Sequence, residues 1–93
     1  MEIRHDEGNT GEFYVEKDGK RIALLDYRKT GDSEMTITHT EVSEELAGQG
    51  IGKKLVGEAV KYARDNDLEV IAKCPFAAKV IAKTPEFQDV LKK

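Results

Sequence analysis

The sequence feature that most constrains this chain is the run Gly48-Gln49-Gly50-Ile51-Gly52, which lies between a strand-like segment and an amphipathic helical pattern. Glycine permits sharp turns, and its missing side chain lets a ligand approach the backbone closely. The first N–H groups of a helix have no acceptor within the helix, and the helix dipole places partial positive charge there. A glycine loop between a strand and a helix therefore predicts a phosphate-binding site.

The two better-known phosphate loops do not fit this run. A Walker A loop requires a glycine where Ala47 stands and a serine or threonine where Lys54 stands. The dinucleotide fingerprint requires a third glycine, but the corresponding positions hold Lys53 and Leu55. A tight strand-to-helix connection that binds no ligand also remains open.

Length, charge and cysteine content narrow the class of protein. A chain of 93 residues suits one domain, spanning residues 1–93. The net charge of −3 gives no overall basic field, so nucleic acid is not expected as a partner. A single cysteine, Cys74, excludes an internal disulfide and a cysteine zinc cluster, and no metal is expected. The absence of a signal-peptide core or a spanning apolar stretch predicts a cytoplasmic protein with no membrane partner.

Apolar alternation predicts strands in the first half of the chain. The segments are an opening edge strand and three longer strands, over residues 2–5, 12–17, 21–27 and 35–42. Asp18-Gly19 supplies the first hairpin turn, and residues 30–33 supply the next turn. Consecutive strands joined by such short turns are expected to pair antiparallel.

After Val42 the period changes to that of helices. Ser43 is a plausible cap for a short turn, and spacings of three and four residues predict a long helix over residues 50–66. A short strand over 68–72 and a helix over 76–83 follow, and Thr84-Pro85 predicts the start of a terminal helix. A strand–helix–strand unit requires a parallel neighbour, so the fold class is α+β (α/β) with a mixed sheet.

The glycine run resembles the pyrophosphate loop of the GNAT N-acetyltransferases, whose pattern is Arg/Gln-x-x-Gly-x-Gly/Ala. Aligned over residues 47–52, the pattern places its two glycines at Gly50 and Gly52, while Ala47 replaces the leading Arg or Gln. Further motifs make the chain similar to the small single-domain GNAT-like acetyltransferases that carry a cysteine beside the acetyl-coenzyme A site. Those motifs are His39-Thr40-Glu41-Val42, Tyr62-Ala63-Arg64, Cys74-Pro75-Phe76-Ala77 and Pro85-Glu86-Phe87.

This resemblance implies central strands that splay apart and acetyl-coenzyme A (or coenzyme A) as the co-substrate. The loop amides from Gln49 to Lys53 would hold the pyrophosphate, with positive charge from Lys53 and Lys54. One backbone edge of the strand from Thr40 to Val42 would pair with the pantetheine arm. The residues assigned to coenzyme A binding are Thr40, Val42, Ala47, Gly48, Gln49, Gly50, Ile51, Gly52, Lys53, Lys54, Cys74 and Pro75.

Three residues are the candidates for catalysis. By resemblance Cys74 lies near the thioester, where it could take the acetyl group if His39 or a positive field stabilised its thiolate. His39 and Glu41 are two residues apart on one strand and share a face, so either could deprotonate an ammonium acceptor. The alternatives are a small core cysteine, a strand histidine with an ordinary hydrogen bond, and a solvated glutamate.

The function predicted from these residues is an acetyl-coenzyme A-dependent N-acetyltransferase. Its acceptor would be an unknown amine, either a small molecule or a protein lysine or N-terminus, and the chain is expected to be a monomer. The alternative function is a non-catalytic coenzyme A or acyl-coenzyme A-binding module that acts as a sensor or interaction protein. A third alternative is nucleotide binding without coenzyme A. Release of free thiol with a panel of amines would discriminate among them.

Overall fold

The computed structural model describes residues 2–92, which build one five-stranded sheet with the strands in chain order. The strands are β1 (Arg4–Asp6), β2 (Thr10–Lys17), β3 (Lys20–Gly31), β4 (Glu34–Val42) and β5 (Glu69–Ala72). The first four strands pair antiparallel, and β5 pairs parallel with β4. The sheet is therefore mixed, as the order of sequence patterns predicts.

Two strands differ in extent from the sequence prediction. The opening edge strand covers Arg4–Asp6 rather than residues 2–5. β3 continues to Gly31 because it still pairs there with Glu34 of β4, and the Lys29 N–H also bonds the Asn9 carbonyl at 2.7 Å. The following turn is consequently shorter than predicted.

Two α-helices follow β4: α1 (Ile51–Asp65) and α2 (Pro75–Lys83). A short 3-10 helix, Glu44–Leu46, precedes α1. Ser43 stands at its N-terminus, but the Ser43 side chain makes no capping hydrogen bond; its carbonyl accepts from the Leu46 N–H instead. The helix predicted over residues 50–66 is shorter by one residue at each end, which is within the usual uncertainty of helix boundaries.

The predicted terminal helix is wrong in type. Pro85 does begin a helical segment, but Pro85–Val90 is a 3-10 helix, and the Thr84 side chain makes no capping bond. The reason lies at the edge of the sheet, where Leu91 bridges Val70 and the Lys92 N–H donates to the Val70 carbonyl at 2.9 Å. The chain must become extended to reach β5, so a longer α-helix is excluded at this point.

The core lies between α1 and one face of the sheet. The apolar stripe of α1 buries Leu55, Val56 and Ala59 completely, against strand residues such as Leu25 and Ile37. Burial of such side chains supplies roughly 1.5–3 kcal/mol each. No helix within residues 2–92 has the length and apolarity needed to cross a membrane.

The other face of the sheet carries the side chains that alternate with this core, and we call it the polar face. Register partners share a face, and one row of partners crosses β2, β3 and β4 at Glu12, Asp26 and His39. The neighbouring row contains Tyr14, Leu24 and Glu41. Alternation along the strands thus separates a buried apolar layer from a layer rich in titratable groups.

The sheet opens between β4 and β5. Their pairing begins at Glu34 with Glu69 and ends at Ile37 with Ala72, whereas β4 continues to Val42. A register irregularity in the β3–β4 ladder, between Asp26 and Tyr27, falls at the same level. Beyond Ile37, β4 is paired with β3 alone, and this stretch is the predicted splay of the central strands.

Candidate functional site

The stretch of β4 beyond Ile37 presents one backbone edge to the opening. The Ser43 N–H donates to the Ile22 carbonyl of β3 at 2.8 Å, which fixes the direction of the backbone groups at this end. Because these directions alternate along an antiparallel strand, Glu41 and His39 face β3, while Thr40 and Val42 turn their N–H and C=O groups toward the opening. A groove of about 270 Å³ lies on the β3 side of this end of β4, lined by residues 20–24 together with Glu41, Val42 and Ser43, and is separate from the opening.

The glycine loop leads directly into α1. Gly50 is the N-terminal cap residue with φ 70°, and Gly48 has φ 81°, so both adopt the left-handed conformation that favours glycine. The first helical hydrogen bond runs from the Lys54 N–H to the Gly50 carbonyl. The N–H groups of Ile51, Gly52 and Lys53 therefore precede the helical ladder and have no acceptor inside it.

Two backbone N–H groups of the glycine loop already have acceptors within the protein. The Gln49 N–H donates to the Leu46 carbonyl at 3.3 Å within the preceding turn, so it is already used there. Ala47 ends the 3-10 helix, and its N–H is likewise bonded, to the Glu44 carbonyl. The Gln49 and Ala47 N–H groups are therefore already bonded within the loop, and pyrophosphate binding by the amides from Gln49 to Lys53 stays a prediction.

An aromatic ring joins the starts of the two α-helices. Phe76 lies in the first turn of α2, after Pro75 at the first helical position. A Cβ built on Gly52 would lie 2.4 Å from the Phe76 ring, so glycine is required for this close approach. Phe76 remains 43% exposed and Val42 remains 37% exposed, which leaves two apolar surfaces at the site. The glycine loop and the start of α2 therefore form one continuous surface.

Cys74 lies where β5 ends and α2 begins. It is 7% exposed and occupies the N-cap position of α2, where its side chain makes no capping hydrogen bond. Its S–H donates to the Thr40 hydroxyl of β4, with Sγ 3.4 Å from Oγ1. The Lys73 and Cys74 N–H groups both donate to the Ile37 carbonyl, at 3.0 and 3.2 Å, and hold this segment at the point where the sheet opens.

The surroundings of Cys74 favour its thiolate. Burial acts against the charged form, but the Thr40 hydroxyl, which becomes the donor once the thiol is ionised, and the nearby backbone N–H groups of Ala77, Phe76 and Thr40 outweigh it, so the pKa of the Cys74 thiol is lowered. Two of these donors belong to the first turn of α2, as expected for a thiol at a helix N-terminus. Backbone N–H groups and a hydroxyl thus favour the Cys74 thiolate, a role for which the sequence suggested His39 or a positive field.

We expect Thr40→Val to make Cys74 less reactive. Valine has nearly the shape of threonine but cannot donate a hydrogen bond, so the pKa of Cys74 should rise and alkylation at neutral pH should slow several-fold. The measurement is the rate of iodoacetamide modification against pH. Thr38→Val is the control, because the Thr38 hydroxyl bonds the Asp26 carbonyl instead. An identical pH profile for Thr40→Val and the unmodified protein would contradict this role of Thr40.

The structure places His39 and Glu41 on the polar face, away from the thiol. Thr40 points toward Cys74, and alternation turns its neighbours to the opposite face. His39 Nε2 lies 3.5 Å from Glu41 Oε2, and the two side chains are 55% and 65% exposed. The two side chains therefore share a face, as predicted. Among residues 2–92 the structure shows no hydrogen bond between His39 and Cys74. Their catalytic roles stay predictions.

Two features of the site were missed at the level of sequence. Phe76 was assigned to a helix without any role at the glycine loop, and only the fold brings it onto Gly52. Asp26 was not singled out, although a carboxylate within the apolar run of β3 is an unusual choice. Within residues 2–92, no group of His, Cys, Asp or Glu side chains is arranged to hold a metal ion.

The comparison with known proteins identifies relatives of this chain. The family model of the GCN5-related N-acetyl-transferases matches residues 12–90. A protein named NATD1 from Xenopus tropicalis is 30% identical over 63 residues, which are 68% of this chain. The match covers 58% of that relative, so the chain spans about three fifths of its length.

Solved structures share the fold. A GCN5-like candidate N-acetyltransferase from Staphylococcus aureus superposes with a TM-score of 0.79 and 40% identity, covering 98% of this chain and 87% of the other. A GNAT family acetyltransferase from Elizabethkingia anophelis, solved with acetyl-CoA bound, gives a TM-score of 0.62 at 13% identity, with 81% and 52% covered. The GNAT-like mixed sheet predicted from the sequence is thereby confirmed.

Proposed function

Since the chain belongs to the family of GCN5-related N-acetyltransferases, we propose that it transfers an acetyl group from acetyl-coenzyme A to an amine. The observation that carries the proposal is the convergence of three features at one opening of the sheet. These features are the start of α1, the free edge of β4 and the Cys74 thiol at the start of α2. A phosphate site, a strand edge and a reactive end therefore follow one another along a single surface.

The residues present fit coenzyme A. The N–H groups of Ile51, Gly52 and Lys53, with the side chains of Lys53 and Lys54 nearby, suit a pyrophosphate. No heavy atom lies within 4 Å of the position a Cβ would take on Gly50, so a ligand can approach this backbone. The Thr40 and Val42 edge of β4 suits the amides of a pantetheine arm, which would be added like a strand.

The reactive end of the site combines a donor and a thiol. The Thr40 N–H faces the opening, where it can stabilise an oxyanion that forms on the thioester carbonyl. In direct transfer, the acceptor nitrogen attacks this carbonyl and the coenzyme A thiolate leaves. In the covalent variant, Cys74 first takes the acetyl group and then passes it to the amine. A side chain of the polar face would remove the proton of the acceptor, and His39 and Glu41 are the candidates predicted from the sequence.

A non-catalytic coenzyme A-binding module is the second candidate. The observation that favours it is the exposure of the polar face, where His39 and Glu41 are both more than half exposed. An open acceptor side serves a sensor or an interaction protein as well as it serves an enzyme with a large acceptor. Both candidates require the same coenzyme A groove.

The experiment that tests the proposed function measures binding and turnover separately. Calorimetry with coenzyme A should give saturable binding to one site, and acetyl-coenzyme A with a panel of primary amines should release free thiol. Binding together with amine-dependent thiol release supports the transferase. Binding with no turnover on any amine would leave the binding module, and no binding at all would overturn both candidates.

A further inference from the structure

A row of titratable side chains crosses the polar face at the level where the sheet opens, and its outermost member is Asp6 of β1. Asp26 in the middle of β3 has Glu12 of β2 as its register partner on one side and His39 of β4 on the other. Neighbouring strands are about 4.8 Å apart, so the three side chains lie next to one another. His39 directly precedes Thr40, which contacts Cys74 on the opposite side of the sheet. His39, at one end of the row, is thus the sequence neighbour of a residue of the proposed site, and Asp26 lies one strand further from the opening.

The partners of Asp26 are not equivalent. Glu12 forms an ion pair with Arg21, and Arg21 also lies 3.7 Å from Asp6. Glu12 is therefore compensated by a cation and stays ionised. Asp26 is half-buried at the centre of the row and has a carboxylate, not a cation, as its partner on β2. Of the two carboxyl groups, Asp26 is the one placed to bind a proton.

The electrostatics of the row agree with this assignment. Burial raises the pKa of Asp26, and the hydrogen bond and charge of Glu12 raise it further, to about 6, although the His39 charge acts in the opposite direction. For Glu12, burial acts to raise the pKa, but the hydrogen bonds to Asp26 and Arg21 outweigh it and lower the pKa. Two neighbouring carboxyl groups with pKa values moved apart are typical of acid–base pairs in enzymes. Strands β1 to β4 place further titratable and charged side chains on the polar face around Asp26. These are Asp6, Glu12, Arg21, Arg28, His39 and Glu41.

We propose that Asp26 is the proton acceptor for the amine on the polar face, held in place by Glu12 and flanked by His39. This inference rests on the proposed function and adds a catalytic residue to it. At neutral pH Asp26 is mostly a carboxylate, and it takes one proton from the acceptor ammonium, which becomes a neutral amine. The nitrogen then forms its bond to the acetyl carbon while the carbon–sulfur bond breaks. The second proton lost by the nitrogen ends on the departing coenzyme A sulfur.

The need for such a group follows from the acceptor. An aliphatic amine with a pKa of about 10.4 is more than 99% protonated at neutral pH, and only the neutral form is a nucleophile. An arylamine is already neutral at this pH and needs no such proton acceptor. Loss of a base should therefore impair transfer to the aliphatic amine alone, whereas loss of a residue that only supports the sheet should impair transfer to both acceptors.

The test compares Asp26→Asn with the unmodified protein on Nα-acetyl-lysine amide and on 4-methoxyaniline, over a range of pH. With the lysine derivative we expect kcat/KM to fall about 100-fold at pH 7 and to recover at high pH, where the amine loses its proton unaided. With the arylamine we expect little change. Asp32→Asn is the matched control, because Asp32 is exposed in the turn between β3 and β4 and lies outside the row.

A second variant gives a readout that does not depend on turnover. NMR detection of the Asp26 carboxyl carbon should show its titration near pH 6, and Glu12→Gln should move this titration to lower pH because the like charge is removed. If Asp26→Asn lowered kcat/KM equally with both acceptors and activity did not recover at high pH, Asp26 would not be the base, while the proposed function would stand. Turnover of neither acceptor by the unmodified protein would overturn the proposed function, and this base with it.

Discussion

Replacing Gly50 with valine is expected to abolish coenzyme A binding while the protein stays folded. Gly50 has φ 70° and no heavy atom within 4 Å of its virtual Cβ, so valine has space but cannot easily adopt this backbone conformation. The left-handed region costs a residue with a Cβ roughly 1–2 kcal/mol. The preceding peptide should rotate to relieve this cost and move the N–H groups at the start of α1 out of line. The added side chain would also stand where the ligand approaches.

Calorimetry should record at least a 100-fold loss of affinity, equivalent to about 2.7 kcal/mol. The matched control is Gly19→Val in the turn between β2 and β3, where φ is 79° and nothing lies within 4 Å. This variant carries the same backbone cost far from the loop and should bind coenzyme A normally. Gly52→Val is a weaker test, because its side chain would collide with Phe76 and destabilise the core. Unchanged affinity in Gly50→Val would show that the coenzyme A site lies elsewhere.

The strands and the glycine loop could be predicted because both are local. Alternation of apolar residues in β2 and β4 fixes which side chains are buried, and three glycines within five residues at the start of a helical pattern predict the loop that precedes α1. The type of the terminal segment was not predictable in the same way. Pro85–Val90 is a 3-10 helix since Leu91 must bridge Val70, a pairing across more than twenty residues that no local pattern contains.

The relation of His39 to Cys74 illustrates the other limit. The sequence suggested His39 as a group that could stabilise the Cys74 thiolate, but which face a strand residue occupies depends on register, and a slip by one residue reverses it. The register of β3 and β4 turns Thr40 toward Cys74 and His39 toward Asp26. The same register creates the Glu12, Asp26 and His39 row, which could not be seen while the pairing partners of Asp26 were unknown.

Cys74→Ala is expected to lower turnover far more than it lowers stability. The thiol is nearly buried and donates to the Thr40 hydroxyl, and this hydroxyl and the N–H groups at the start of α2 lower its pKa, so its surroundings favour the thiolate and do more than fill space. Loss of its sulfur from the core should cost about 1 kcal/mol in the free energy of unfolding. Loss of its role beside the thioester should reduce kcat at least tenfold, and bound coenzyme A should protect the unmodified thiol from alkylation.

The covalent and the direct mechanism can be distinguished by mass spectrometry of the protein after its reaction with acetyl-coenzyme A is rapidly quenched. An acetyl group on Cys74 that forms and disappears as fast as turnover supports the covalent route, in which Thr40 and the α2 N–H groups stabilise the attacking thiolate. A missing acetyl group together with a reduced kcat assigns Cys74 to positioning of the thioester. If Cys74→Ala turned over normally per folded molecule, the residue would be a packing element, and direct attack by the amine deprotonated on the polar face would be the mechanism.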